Sequence, residues 1–329
     1  MQFLLRRLAF YLVAFWVALT LNFFIPRAMP GSAVDAVLAK FPQLLPPARK
    51  ALEATLGTGN QGSVWSQYLT YLNHVFHLNF GPSLSNYPTP VTTIVANGVY
   101  WTIGLVGVAT VIAFVVGTGL GILAGWRAGG RLDRSLPGMM FLQATPYFFL
   151  ALLLIQVFGI TLHVLPVAGA YDGINYTPGW TWPYIANVAD HAFLPALTIV
   201  VTSVAGWMLQ MRNVMVTTVG EDYVVAAQAK GLSDRRVVYT YAARNALLPQ
   251  LQAFGLALGF VISGALVMEI VFSYPGIGLL LLNAVSSDDF PLMQALFLVI
   301  TFAVLIANLI VDMIIVVADP RARTMEATS

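Results

Sequence analysis

Apolar residues along this chain gather in six long runs, over 8–25, 101–126, 136–158, 193–211, 248–272 and 293–317. Prolines, glycines and polar residues concentrate between them. About 20 apolar residues carry a helix across the hydrocarbon core of a bilayer, so each run is long enough to span it. In lipid the backbone must satisfy its own polar groups, which leaves helices or closed barrels. The ten-residue alternation of barrel strands is missing, and the runs predict an all-α polytopic membrane protein with six transmembrane helices. The first run follows Arg6 and Arg7, as the core of a secretory signal would. It is longer than such a core and no small-x-small site follows it, so it is expected to stay as the first span.

The stretches between the runs differ in character. Within the long 27–97 loop, VWSQYLTYLNHVFHLNFG places Trp65, Tyr68, Leu69, Leu72 and Phe76 at helical spacing and predicts a short helix packed on the outer rim. YTPGWTWPYIANVADH is rich in aromatics and proline, the composition of an interfacial belt, and Trp180 and Trp182 would also suit stacking on sugar rings or docking. Cations fall on one side: Arg6 and Arg7, then Arg127, Arg131 and Arg134, then those from Arg212 to Arg244, then Arg321 and Arg323. The loops 160–191 and 273–291 contain no Lys or Arg, while Arg27, Lys40, Arg49 and Lys50 lie in a loop too long to inform topology. Both termini are therefore expected in the cytoplasm. The simplest partition is one membrane domain over 1–329: a first span (1–26), the external loop (27–97), a five-span core (98–319) and a tail (320–329).

Composition narrows the possible functions. Of 329 residues, 58% are hydrophobic and 9% charged, against roughly 25% charged in soluble domains. A net charge of +2 does not suggest a nucleic-acid partner, and with no cysteine there is no disulfide, thiolate metal site or thiol nucleophile. No G-x-x-x-x-G-K-[ST] phosphate loop occurs, and the three lysines, Lys40, Lys50 and Lys230, stand in other contexts. H-E-x-x-H and G-x-S-x-G are also missing, which leaves an enzyme without residues to work with. His74, His77, His163 and His191 are scattered; His74 and His77 share a helical face, where packing on the rim is favoured over a metal site. No cofactor or metal is expected on this chain.

One polar stretch, 221–249, stands out from the apolar chain around it. Alanines and straight side chains favour helix up to Lys230, and Gly231 supplies a left-handed stop. Ser233 is a plausible N-cap with Asp234 in the positive first turn of a second helix. Val237, Val238, Tyr241 and Ala242 share its apolar face, while Arg236, Thr240 and Arg244 form a polar stripe. Pro249 would then open the fifth span. A solvated loop that only sets topology would need a few cations; it would not need two capped helices, nor Ala226, Ala227 and Ala229 as a surface for close approach.

The segment AAQAKGLSDRRVVYTYAARNALLP resembles the EAA loop of ABC importer permeases, in the dipeptide, oligopeptide and nickel branch. Ala226, Ala227 and Gly231 fall on the Ala-Ala and glycine of that motif, and Leu248 and Pro249 on its closing pair. Val225 stands where the general motif has glutamate, and the longer glycine-to-proline interval matches the peptide branch. FLLRRLAFYLVAFWVALTLNFFIPRAMPGSAVD, WSQYLTYLNHVFHLNFGPSL, GILAGWRAGGRLDR, FSYPGIGLLLLNAVSSDDFPLMQ and VADPRAR resemble further segments of the same family, in order along nearly the whole chain. The resemblance implies a type I ABC importer permease in a bacterial or archaeal plasma membrane, a single permease domain with its EAA-like loop at 217–249 and a cytoplasmic coupling helix. Ala226, Ala227, Ala229, Lys230, Gly231, Leu232, Ser233, Asp234, Arg235 and Arg236 would then face an ATPase. It implies a second, homologous permease, two ATPase subunits carrying ATP and Mg, and an extracytoplasmic solute-binding protein. Peptides are the leading cargo, with oligosaccharides or nickel chelates as alternatives. A self-contained secondary transporter or channel is the contrasting class, but paired repeats with midplane acids are not evident.

Ionisable groups inside spans are costly and suggest function. Glu269, near the outer end of the fifth run, is either a pathway or gate residue or a carboxylate hydrated at the membrane edge. Asp312 is expected to pair with a basic group near the inner surface, with Arg212 as the candidate. Tyr274, Pro275, Gly276 and Gly278, in YPGIG, predict irregular backbone and a short re-entrant helix at the path, tolerated only where protein or water surrounds it.

Overall fold

The computed structural model describes residues 2–28, 63–264 and 266–318. The loop and tail cations Lys40, Arg49, Lys50, Arg321 and Arg323 lie outside them. In chain order the α-helices are α1 (Gln2–Ala28), α2 (Val64–Phe76), α3 (Val91–Thr102), α4 (Val108–Trp126), α5 (Arg131–Arg134), α6 (Leu136–Ala144) and α7 (Tyr147–Leu154). There follow α8 (Trp182–Val219), α9 (Asp222–Ala229), α10 (Asp234–Arg236), α11 (Ala243–Gly264), α12 (Leu266–Val271), α13 (Ile277–Ser286) and α14 (Phe290–Ala318). Three π-helical turns, Ile103–Gly107, Ile155–Thr161 and Val237–Ala242, follow α3, α7 and α10. Among the described residues extended pairing is limited to one bridge, between Pro82 and Pro90.

Helix is found among the described residues of all six expected runs. Among the described residues four helices are long and apolar enough to cross a membrane, at Arg6–Phe24, Val91–Trp126, Trp182–Val219 and Phe290–Ile310. The third expected run is broken: Arg131–Ala144 and Tyr147–Thr161 meet at 91°, and counted as one span they make five. The cause is local. Proline at 146 disfavours helical backbone in the residue before it, and Thr145 is extended at φ −70°, ψ 128°. The fifth expected run is helical on both sides of residue 265, over α11 and α12, and residue 265 itself lies outside the described residues. Pro249 lies inside α11 and does not open it. The fourth begins earlier than its apolar core, because Trp182-Pro183 starts a helix in which proline suits the first turn. At 38 residues α8 is about 57 Å long and outreaches the roughly 30 Å hydrocarbon core.

The chain divides into two compact units, residues 1–100 with 276–305, and 101–275 with 306–329. In the first, Leu19 and Phe23 of α1 pack with Tyr68, Leu72 and Val75 of α2 and with Leu298. The packed face of α2 is therefore rotated from the expected one: Trp65, Leu69 and Phe76 are exposed. A polar seam joins the same helices. Asn22 Nδ2 donates to the Gln294 carbonyl (3.0 Å) and to the Tyr71 hydroxyl (3.1 Å), and Gln294 Nε2 returns a bond to the Asn22 carbonyl (3.3 Å).

The second unit is organised by a parallel pair, α4 and α8, in contact through a row of glycines. A Cβ placed on Gly117 would lie 2.7 Å from the Val204 carbonyl, and one on Gly121 would lie 2.6 Å from the Met208 carbonyl and 2.6 Å from Met211 Cβ. One on Gly125 would meet Met215 Cβ and come within 2.9 Å of the Arg212 carbonyl. Small residues at i, i+4, i+8 let two backbones approach in lipid, where apolar side chains gain nothing by leaving the tails. Gly119 points away, with nothing within 4 Å of its would-be Cβ. Gly121→Ala is therefore expected to lower the melting temperature of the detergent-purified protein, with overpacking costing about 1–3 kcal/mol. Gly119→Ala is expected to leave it unchanged or slightly raised, since alanine favours helix over glycine.

Candidate functional site

The 221–249 stretch folds as a helical hairpin whose inner side is built into the second unit. Val224 and Ala227 of α9 and Val237, Val238 and Ala242 of the π turn are buried against Ile122, Met211 and Met215. Gly231 adopts φ +73°, the left-handed conformation expected of it, and its N–H bonds to the Gln228 carbonyl at 2.8 Å. Ser233 stands at the N-cap in extended conformation without a side-chain cap bond; its carbonyl instead accepts the amides of Arg236 (2.9 Å) and Val237 (3.0 Å). Lys230, Asp234, Arg235 and Arg236 are exposed and Leu232 is half-buried. Of the three alanines read as a docking surface, Ala226 and Ala229 are exposed, but Ala227 is core. Residues three apart share a helix face, and Ala227 lies on the face of the buried Val224.

The expected second helix runs without a break from α10 through the π turn into α11. Two open clefts lie on its polar side. Tyr223, Thr240, Tyr241, Arg244, Asn245 and Leu248 line one of about 600 Å³. Ser233, Arg235, Arg236, Tyr239 and Thr240 line one of about 750 Å³. Arg212, expected opposite Asp312, is instead held by Asp133 (Nε to Oδ1 2.8 Å, Nη2 to Oδ2 3.1 Å). Asp133 also accepts the Gly129 amide at 2.7 Å, so the pair fixes the basic 127–134 turn beneath the glycine row.

Toward the other end of the unit Glu269 is fully buried and not hydrated at an edge. Its Oε1 accepts the Thr102 hydroxyl at 2.6 Å, and its carbonyl accepts the Tyr274 amide at 2.7 Å. Tyr274 is buried edge-on to Trp101, ring centroids 5.8 Å apart. In the first unit Gly276, Ile277 and Gly278 are buried, and α13, a short apolar helix, starts at Ile277 within YPGIG.

Between the hairpin and Glu269 lie groups that the run-by-run reading passed over. A cavity of about 270 Å³ is lined by Val106, Thr110, Tyr147, Ile199, Thr202, Ser203, Trp207, Ala257, Val261 and Met268. Next to it Phe254 stacks on Phe114, ring centroids 4.1 Å apart, and Trp207 meets Phe114 edge-on at 5.3 Å. Below them Gln250 Nε2 donates to the Trp207 carbonyl (3.0 Å) and to Thr118 Oγ1 (3.3 Å). The available signal was helical spacing of isolated polar residues within apolar runs, with Thr110 and Thr118 two turns apart.

Two carboxylates order loops outside the spans. Asp172 accepts the Ile174 amide and the Asn175 side chain, in a loop where Trp180 and Trp182 are exposed. Its carboxyl is held below the usual value chiefly by the Asn175 bond. Asp289 precedes α14 and accepts the Ser83 hydroxyl, the Ser85 amide (2.9 Å) and the Ser85 hydroxyl (2.7 Å) on Oδ2, and the Leu292 amide (3.2 Å) on Oδ1. Burial pushes its carboxyl up, but the serine bonds outweigh burial and hold it below 3.8. His77 Nδ1 sits 2.8 Å from the Asn73 carbonyl, at the end of α2. Among the described residues no three His, Cys, Asp or Glu side chains cluster as a metal site would need.

A depressed folded-state pKa stabilises only while the group stays ionised, so the Asp289 clasp is fully present above 3.8 and is lost as pH falls through the lower folded value. Hydrogen exchange at the Ser85 amide is expected to stay slow from neutral pH to about 4 and to accelerate only below it. Asp289→Asn, which puts an N–H among three donors, is expected to give fast exchange at neutral pH.

Residues 117–324 match the family described as binding-protein-dependent transport system inner membrane component. A protein of Brucella suis biovar 1 (strain 1330) is 33% identical over 324 residues, covering 98% of this chain and 99% of its own. The dipeptide transport system permease protein of Escherichia coli (strain K12) is 30% identical over 339 residues, covering 98% and 99%. The oligopeptide transport system permease protein of Bacillus subtilis (strain 168) is 29% identical over 302 residues, covering 92% of each. The chain is a multi-pass membrane protein that transports and does not catalyse, and it belongs to the binding-protein-dependent transport system inner membrane components, the permease subunits of ABC importers.

Proposed function

We propose that this permease carries di- and oligopeptides and forms half of their pathway, the other half coming from a second, homologous permease. Two ATPase subunits, with ATP and Mg, press on the 226–236 hairpin from the cytoplasm, and an extracytoplasmic solute-binding protein delivers cargo to the opposite face. Both termini lie in the cytoplasm, on the side that carries Arg127, Arg131, Arg134 and the hairpin. Peptide cargo is favoured by the names of the relatives that cover nearly the whole chain.

The observation that carries the coupling role is the split of the hairpin into two faces. Lys230, Asp234, Arg235 and Arg236 project outward, while Val224, Ala227, Val237 and Val238 are locked against the α4–α8 pair. A force on the outer face has no slack to be lost in. Nucleotide binding then shifts the permease between outward- and inward-open states, limited by the difference in ATPase affinity for the two.

Gly231 makes this testable, because a β-branched residue is strained at φ +73° whereas asparagine visits that region. Gly231→Val is expected to lose the ATPases in a tagged pull-down from native membranes while keeping the second permease. Gly231→Asn is expected to keep both. A chain recovered alone in wild type, with uptake driven by an ion gradient, would overturn the importer assignment of the hairpin.

A further inference from the structure

Within the second unit, three helices stack their side chains in the same order. From the hairpin end upward, Ala246 packs with Ile122 and Met215, Gln250 bonds to Thr118 and the Trp207 carbonyl, Phe254 stacks on Phe114, and Ala257 and Val261 face Val106 and Thr110 across the cavity. Trp207 belongs to two of these layers: it closes the aromatic cluster and lines the cavity. Trp207 therefore lines the cavity on the side facing the hairpin, and Phe114 and Phe254 pack behind it.

The cavity is chemically distinct from the surrounding surface. The outer side of α4 is hydrocarbon, with Val108, Val111, Ile112 and Val115 exposed. Thr110, Thr202, Ser203 and Tyr147 bring four hydroxyls to the cavity, and no charged side chain lines it. Thr110 donates to the Val106 carbonyl (2.7 Å) and Thr202 to the Thr198 carbonyl (2.8 Å), so both present lone pairs outward as acceptors. Such a wall suits backbone amides, which offer N–H groups whatever side chains accompany them. At about 270 Å³, just under the roughly 300 Å³ of the smallest ligand pockets, it admits part of a short peptide. Uncharged hydroxyls also bind weakly, as conduction needs if a solute is to leave as easily as it enters.

We infer that this cavity is the chain's segment of the translocation path, taking the amide backbone of the cargo, and that Phe114, Trp207 and Phe254 are its cytoplasmic gate. The inference rests on the importer reading above and adds the residues that would open and close. Its drive is on the same rod: α10, the π turn and α11 run unbroken from Asp234 to Gly264, so Arg235 and Phe254 lie on one helix, about 30 Å apart along its axis. A shift of the hairpin moves Phe254 off Phe114 and pulls Gln250 from Thr118 and Trp207 in the same step.

The chain has no cysteine, so a single Ser203→Cys reports on the cavity. The whole importer, carrying that variant, is placed in vesicles of either orientation and treated with a membrane-impermeant charged methanethiosulfonate, with modification of this chain read by mass. Peptide uptake driven by ATP checks the importer reading separately. In the state trapped with ATP and vanadate, modification is expected from the outer face only; without nucleotide, from the cytoplasmic face. Phe254→Ala, and separately Phe114→Ala, are expected to make the trapped state react from the cytoplasmic face about tenfold faster, in proportion to the open fraction of the gate. Phe254→Leu, which keeps bulk without the ring, covers the case in which alanine fails to assemble, and is expected to accelerate the reaction in the same direction. Reaction from neither face in either state would remove the cavity from the path. Reaction from the outer face with no change on removing either ring would remove the gate. Either result alongside normal ATP-driven uptake would sink the inference and leave the importer reading standing.

Discussion

The close approach of α4 and α8 is the constraint from which the second unit is built. Two helices in lipid gain little by burying leucines against each other, because the tails are as apolar as the side chains. They gain by touching along their backbones, and Gly117, Gly121 and Gly125 are placed for that, each where a methyl group would strike a carbonyl of α8. The contact is unforgiving, so it fixes register as well as distance. Val204, Met208 and Arg212 are paired with one glycine each, and every layer above and below inherits that alignment. Met208, Met211 and Met215, flexible enough to fill an irregular seam, are all fully buried around it.

A rigid pair gives a third helix something to move against. α11 is held to it by contacts of different strength along its length. Alanines pack at the hairpin end, a single glutamine bonds in the middle, and rings stack above. The glutamine is the weak link: Gln250 is fully buried, yet its Oε1 has no hydrogen-bond partner among the described residues. An unsatisfied buried acceptor costs about 1–3 kcal/mol, which lowers the barrier to any rearrangement that gives it a partner. Packed cores shift between discrete arrangements and do not deform continuously, and a half-satisfied polar joint between close-packed layers is a natural place for such a shift.

What could be read from sequence follows the range of the forces involved. The apolar runs and the Gly231 turn are local, set by lipid and by backbone sterics, and both stand in the structure. The break at Thr145-Pro146 is local too, and was hidden only because hydropathy averages over it. Other features depended on partners distant in sequence. Ala227 looks like its neighbours in composition but lands on the face that meets Ile122 and Met215. Arg212 and Asp133 are 79 residues apart, and nothing near either names the other. Pro249 could sit inside a helix because its missing N–H removes one bond from a rod already held on two sides by the π turn and by Gln250. The GTGLGILAG spacing was visible in principle, but only the partner helix reveals which glycines matter: Gly119 belongs to the same pattern and touches nothing.

Charge is kept away from the cavity and concentrated at both ends of the unit. Glu269 is buried under Thr102 on one side, and Asp133 and Arg212 neutralise each other on the other. A fixed charge in the middle of a path would bind oppositely charged cargo and repel the rest, and in a low-dielectric wall either effect is large. Peptides vary in every side chain and share only their backbone, so a carrier of mixed peptides does best with a wall that reads amides and ignores charge. Selectivity then belongs to the partner that delivers the cargo, and the permease wall has only to let it pass. The gate proposed above follows the same logic: Trp207 at the cavity, with Phe114 and Phe254 behind it, would seal by ring packing, which blocks water and ions of either sign, and would part without breaking an ion pair.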